Sequence, residues 1–80
     1  MAFKNGNLSV VAFCSGWTLW QYKSTDTLQE TELDGYFNTI KDLCATGDII
    51  ILVCEGKIGK QSAIRAIILD NGVVKLTNLQ

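Results

Sequence analysis

The chain contains no histidine and no proline, and only 19% of its 80 residues carry charge. Without histidine, general acid–base chemistry near neutral pH lacks its usual agent. Ser15 and Ser62 have no imidazole to activate them as nucleophiles. A zinc site would need all three cysteines together with a carboxylate or a water. Those cysteines, Cys14, Cys44 and Cys54, are odd in number and too widely spaced for a Cys-x-x-Cys clip. They read as buried, reduced thiols acting as small apolar residues, with a Cys44–Cys54 disulfide as the alternative in an oxidising medium. Cys14 has no cationic neighbour to make it a reactive thiolate. Glu30 and Glu32 lie in a polar segment and form no placed carboxylate pair. The expectation is a protein that is no enzyme and uses no metal and no cofactor.

Long apolar runs are lacking too. The longest, Ile49 to Cys54, falls far short of the ~20 residues that span a bilayer. The N-terminus turns polar at Lys4-Asn5-Gly6-Asn7, before an apolar stretch develops, so no signal peptide is expected. A net charge of −1 and a pI near 5.1 exert no long-range pull on phosphate backbones. A soluble protein with neither a membrane nor a nucleic-acid partner is expected.

Cys54-Glu55-Gly56-Lys57-Ile58-Gly59-Lys60-Gln61-Ser62 fails as a phosphate-binding loop. A Walker A motif needs a glycine at 54 and a hydroxyl at 61, where cysteine and glutamine stand. A glycine-rich hairpin turn is the plainer reading.

What remains is apolar. The chain is 48% hydrophobic, and its charged share is below the typical figure of about 25%. Residues 1–80 form a single domain, which on folding buries only about 60% of its unfolded surface. So small a domain should be more polar than average, and this one is less polar. Part of its apolar surface is therefore expected to face a partner.

Leu8 to Phe13 and Trp17 to Lys23 read as two strands joined by a Ser15-Gly16 turn. Ser24 to Asp34 reads as a surface loop or a fraying helical turn. The period i, i+1, i+4, i+7, i+8 of Tyr36, Phe37, Ile40, Leu43 and Cys44 predicts a short helix, capped by Asp34 or Asn38 and left through Gly47. Strands follow at Ile49 to Cys54, Ser62 to Leu69 and Val73 to Thr77, the last two joined by Asp70-Asn71-Gly72. With no proline, nothing blocks their pairing. The expected fold is mainly β, a β-rich α+β domain: a small antiparallel sheet or barrel of about five strands, with one short helix between strands 2 and 3.

A strand with one wet side alternates apolar and polar residues. Here Leu8, Val10 and Ala12 oppose Val11 and Phe13, Trp17 and Leu19 oppose Trp20 and Tyr22, and Ile64, Ala66 and Ile68 oppose Arg65, Ile67 and Leu69. Three strands are apolar on both sides, and one short helix can cover only one face. Either the sheet curls into a barrel or another chain covers the second face. The aromatic residues Trp17, Trp20, Tyr22, Tyr36 and Phe37 are the candidate interface; for Trp17, Trp20 and Tyr22 core and subunit-interface packing is the favoured role, and nucleic-acid stacking is disfavoured because Lys23 is the lone basic residue nearby. A sugar- or peptide-binding platform is the alternative.

Three stretches carry a resemblance: Asn7-Leu8-Ser9-Val10-Val11-Ala12, Gly16-Trp17-Thr18-Leu19-Trp20-Gln21-Tyr22 with Thr25-Asp26-Thr27, and Gly35-Tyr36-Phe37-Asn38 with Asp42-Leu43 and Gly47-Asp48-Ile49-Ile50. Together they resemble a family of small phage and prophage proteins encoded among virion structural genes, over roughly residues 7–53. The resemblance implies a head-associated role, such as capsid decoration or a head fibre. The expected partners are further copies of the chain, as a homo-oligomer such as a trimer, and another virion protein such as a capsid protein. The expected location is the virion, or the bacterial host cytoplasm before assembly. It marks no active-site residue. The cysteines at 14, 44 and 54 depart from the family's pattern and raise the question of a disulfide in the virion. The alternative function is a prophage-encoded intracellular binding module that regulates a host protein through the aromatic cluster.

Overall fold

The computed structural model describes residues 3, 5–56 and 59–78. Five strands, β1 (Leu8–Cys14), β2 (Trp17–Ser24), β3 (Ile49–Gly56), β4 (Gly59–Asp70) and β5 (Val73–Asn78), form one sheet in the order β1-β2-β3-β4-β5. The fold is mainly β, with one short helix, α1 (Leu28–Thr31), between β2 and β3.

The sheet is mixed, where an antiparallel one was expected, and it is open rather than closed into a barrel. β1–β2, β3–β4 and β4–β5 are antiparallel, but β2 and β3 run parallel. Antiparallel neighbours join through tight turns, whereas a parallel pair needs a crossover of a dozen or more residues. Residues 25–48 are that crossover, and they lie as a layer over one face of the sheet.

The hairpin turns follow from residue chemistry. Asn71 and Gly72 have φ of 52° and 80°, the two positive values that a type I′ turn demands, so β4 and β5 meet where Asn-Gly predicts. The turn residues 57 and 58 between β3 and β4 lie outside the described residues.

The helix lies elsewhere than the apolar period predicts. Residues 36–44 form turns and a 3-10 turn at Asn38–Ile40. Their apolar stripe does point inward at Phe37, Ile40 and Cys44, while Leu43 is exposed. The α-helix forms in the segment that reads as a loop or a fraying turn. Thr27 and Glu30 make a capping box there: the Thr27 hydroxyl accepts from the Glu30 N–H (3.2 Å), and a Glu30 carboxylate oxygen accepts from the Thr27 N–H (3.0 Å).

The layer is tied to the strands by hydrogen bonds. Gly35 N–H donates to the Val74 carbonyl (2.9 Å), Val74 N–H donates to Asn38 Oδ1 (2.8 Å), and Gly47 N–H donates to the Ile67 carbonyl (3.1 Å). Between layer and sheet lies the core: Trp20, Tyr22, Phe37, Ile40, Cys44, Ile50, Leu52, Cys54, Ile67 and Val74.

Candidate interaction surface

The predicted interface residues divide between two sides of the sheet. Trp20, Tyr22 and Phe37 are buried in the core, so within one protomer they cannot meet a partner. Tyr22 stacks on Phe3 (centroids 5.2 Å apart) and meets Phe37 edge-on (5.0 Å). Half-buried Tyr36 completes the cluster, donating its hydroxyl proton to Asp26 and lying 3.1 Å from the Tyr22 hydroxyl. Burial, then the hydrogen bonds to Asp26 and Tyr22, push the Tyr36 phenol well above its ordinary range. Only Trp17 lies on the opposite face. As interface residues Trp20, Tyr22 and Phe37 are corrected: the crossover layer comes down on the side where Trp20 and Tyr22 point, and Phe37 reaches the core from that layer, while Tyr36 stays half-buried.

Asp48 holds that layer in place. It is 3% exposed and accepts three hydrogen bonds: from Thr18 N–H at Oδ1 (3.0 Å), and from Trp20 Nε1 (3.1 Å) and Ala45 N–H (3.1 Å) at Oδ2. It thereby joins the end of the crossover to β2 just where β3 begins. On the same side, Arg65 pairs with Glu32 beyond α1.

Among the described residues, nothing covers the other face of the sheet. Register places Cys14 beside Trp17; Ala12, Leu19, Ile49 and Ala66 in the next row; then Ile51 beside Ile64, and Val53 beyond. Ile68 follows Ala66 on β4. Ile64 is 49% exposed and Ile68 37%, with the rest of this band half-buried. Ala12 belongs to it because the β1 register shifts between Val10 and Ala12, a bulge that places Ala12 opposite Leu19 and leaves Leu8 and Val10 on the covered side. Strand alternation alone misses that shift. Phe13, 83% exposed, also faces the covered side, beyond the reach of the layer.

Polar residues rim the band. Lys23 and Lys60 flank Glu55 at one end (4.0 and 3.6 Å), and Asp70 pairs with Lys75 at the other (3.2 Å). Ser9, Gln21 and Ser62 lie along its upper margin and Thr77 along β5. An apolar centre with a polar rim is the anatomy of a protein–protein interface. A shallow hollow of about 180 Å³, lined by Asn7, Lys23, Ser24, Thr25 and Glu55, opens beside the charged end.

Charge is divided unevenly along the chain. Six of the eight acidic residues, against the single basic residue Lys41, lie in residues 25–48. The layer thus carries a net −5, and the rest of the chain, with six basic and two acidic residues, +4.

All three cysteines are free thiols, and burial raises the pKa of Cys44 and Cys54. The Cys54 thiol lies 3.7 Å from the Thr31 hydroxyl. No helix among the described residues is long and apolar enough to cross a membrane. Comparison with family models, with curated proteins and with solved structures gives no match.

Proposed function

We propose that this chain is a non-enzymatic structural protein of a phage or prophage virion, of the capsid-decoration or head-fibre kind, working through contacts between its own copies. The observation that carries the reading is the uncovered apolar face, Trp17, Leu19, Ile49, Ile51, Val53, Ile64, Ala66 and Ile68, ringed by lysines and acids. Contiguous exposed apolar patches of this size mark interaction sites. A monomer with no partner would place polar residues on that side of its sheet.

The sequence resemblance to small proteins of virion gene sets supplies the setting: a protein made in the bacterial cytoplasm, then seated on another virion protein.

The experiment is quantitative mass spectrometry of purified particles from the phage or prophage that encodes the chain, with light scattering of the isolated protein. Stoichiometric copies in the particle and a mass above 8.8 kDa in solution are expected. Absence from particles overturns the virion assignment, and a strict monomer at high concentration overturns self-association.

A further inference from the structure

We infer that the open face binds the same face of a second copy, with the two sheets stacked and their strands running in opposite directions. This rests on the self-association just proposed, and names its surface, symmetry and stoichiometry.

Area is the first argument. Strands lie about 4.8 Å apart and residues on one face recur about every 6.7 Å, so the face with its polar rim, four to five strands by four rows, covers on the order of 500–650 Å². Two such faces total about 1,000–1,300 Å², which reaches the roughly 1,000 Å² that a specific interface needs. A two-fold pair uses this one patch on both partners, whereas a trimer needs two different complementary surfaces.

Charge complementarity selects the direction. Consider a two-fold axis lying in the plane of the face, across the strands, between the rows of Ile49 and Ile51. By register it lays Lys60 of one copy over Asp70 of the other, both on β4, and Lys23 over Trp17, both on β2. The small Ala66 comes to lie over the large Ile64, and Ile49 over Ile51. Packed sheets cross at about 30°, which keeps these residues near one another. Lys60 and Asp70 have side chains 82% and 53% exposed, and meeting across the contact they would join the Lys60–Glu55 pair of one copy to the Lys75–Asp70 pair of the other. An axis along the strands would instead gather Lys23 and Lys60 of both copies at one end, four cations against the two Glu55 carboxylates. In the opposed arrangement the two acidic layers face outward, on opposite sides of the dimer.

The test is light scattering of the whole chain across a concentration series, with circular dichroism to establish folding. The wild type is expected at twice 8.8 kDa. Ile51→Lys, which places an unpaired charge mid-interface, is expected to stay folded and weaken the dimer by about 100-fold or more. Lys60→Glu is expected to weaken it roughly three- to tenfold, and Lys60→Glu combined with Asp70→Lys to restore it. A monomeric wild type overturns self-association itself. An oligomer that Ile51→Lys leaves intact overturns the face while sparing self-association, and a trimer overturns the two-fold pairing. Failure of the double swap to restore Lys60→Glu overturns the opposed direction.

Discussion

Replacing Asp48 with alanine removes three hydrogen bonds at once and leaves Trp20 Nε1 without its partner in the interior. Hydrogen bonds to a charged acceptor contribute roughly 1.5–3 kcal/mol each. The bond to Trp20 is buried, but water can partly replace the carboxylate at Thr18 and Ala45, whose bonds are only part-buried, so the low end of that range applies to them. Asp48→Ala is therefore expected to cost about 4.5–6 kcal/mol, against a total of about 4–12 kcal/mol for a domain of this size. Asp48→Asn is the informative companion. Its carbonyl can take the Oδ2 position and keep the bonds to Trp20 and Ala45, setting its NH2 group against the Thr18 N–H. It should cost about 1–2 kcal/mol, less than alanine. Urea unfolding followed by tryptophan fluorescence measures both, at one fixed protein concentration because self-association shifts the midpoint. An alanine variant within about 1 kcal/mol of wild type, or asparagine as damaging as alanine, would refute the view that this carboxylate pins the crossover.

Gly56→Ala is expected to lower stability by about 1–3 kcal/mol in a thermal melt, since its new Cβ would lie 2.8 Å from Thr27 Cγ2 and 3.1 Å from Thr27 Cα, at the N-cap of α1. Tyr36 should resist ionisation: its raised folded pKa gives a contribution fully present below the unfolded value of about 10 and lost as pH rises above it. Ultraviolet titration should therefore show a phenolate that appears only as the fold opens in alkali, and Tyr36→Phe should remove that phase. Cys44 and Cys54, buried and raised in pKa, should react with iodoacetamide only after unfolding; rapid native labelling of either, read by peptide mass spectrometry, would contradict their placement.

The strands were legible because their signals are local. Apolar runs broken by Ser15-Gly16 and Asn71-Gly72 set β1, β2, β4 and β5 to within a few residues, and the turn glycines adopt the positive φ those breaks require. The helix was misplaced because an inward stripe reports burial and not backbone geometry. Phe37, Ile40 and Cys44 reach the core from turns, while Gly35 and Gly47 are tied to β5 and β4 and hold the segment at both ends. The Thr27–Glu30 capping box makes α1 of a segment that reads as a surface loop or a fraying helical turn. The parallel β2–β3 pair was not legible, because it depends on which strand the returning chain meets. That choice rests on contacts such as Asp48 with Trp20, made 28 residues apart.

For the surface, the sequence disclosed that two faces were apolar, and folding decided which one is covered. The aromatic residues drew attention because aromatic side chains dominate interfaces, yet they dominate cores for the same reason of area. Residues 25–48 settle the competition by lying over Trp20 and Tyr22, so the side with the larger aromatic area becomes interior. Beside Trp17 and Leu19, the side left outside carries β-branched and small residues: Ile49, Ile51, Val53, Ile64, Ala66 and Ile68. Such residues suit close sheet-on-sheet contact, since they add area with little rotamer freedom to lose. Threonine or lysine at those positions would keep strand propensity or improve solubility at little cost to an isolated protomer. Beyond the strand propensity of the β-branched ones, their apolar character is put to use when the face is covered, as in the pairing inferred above.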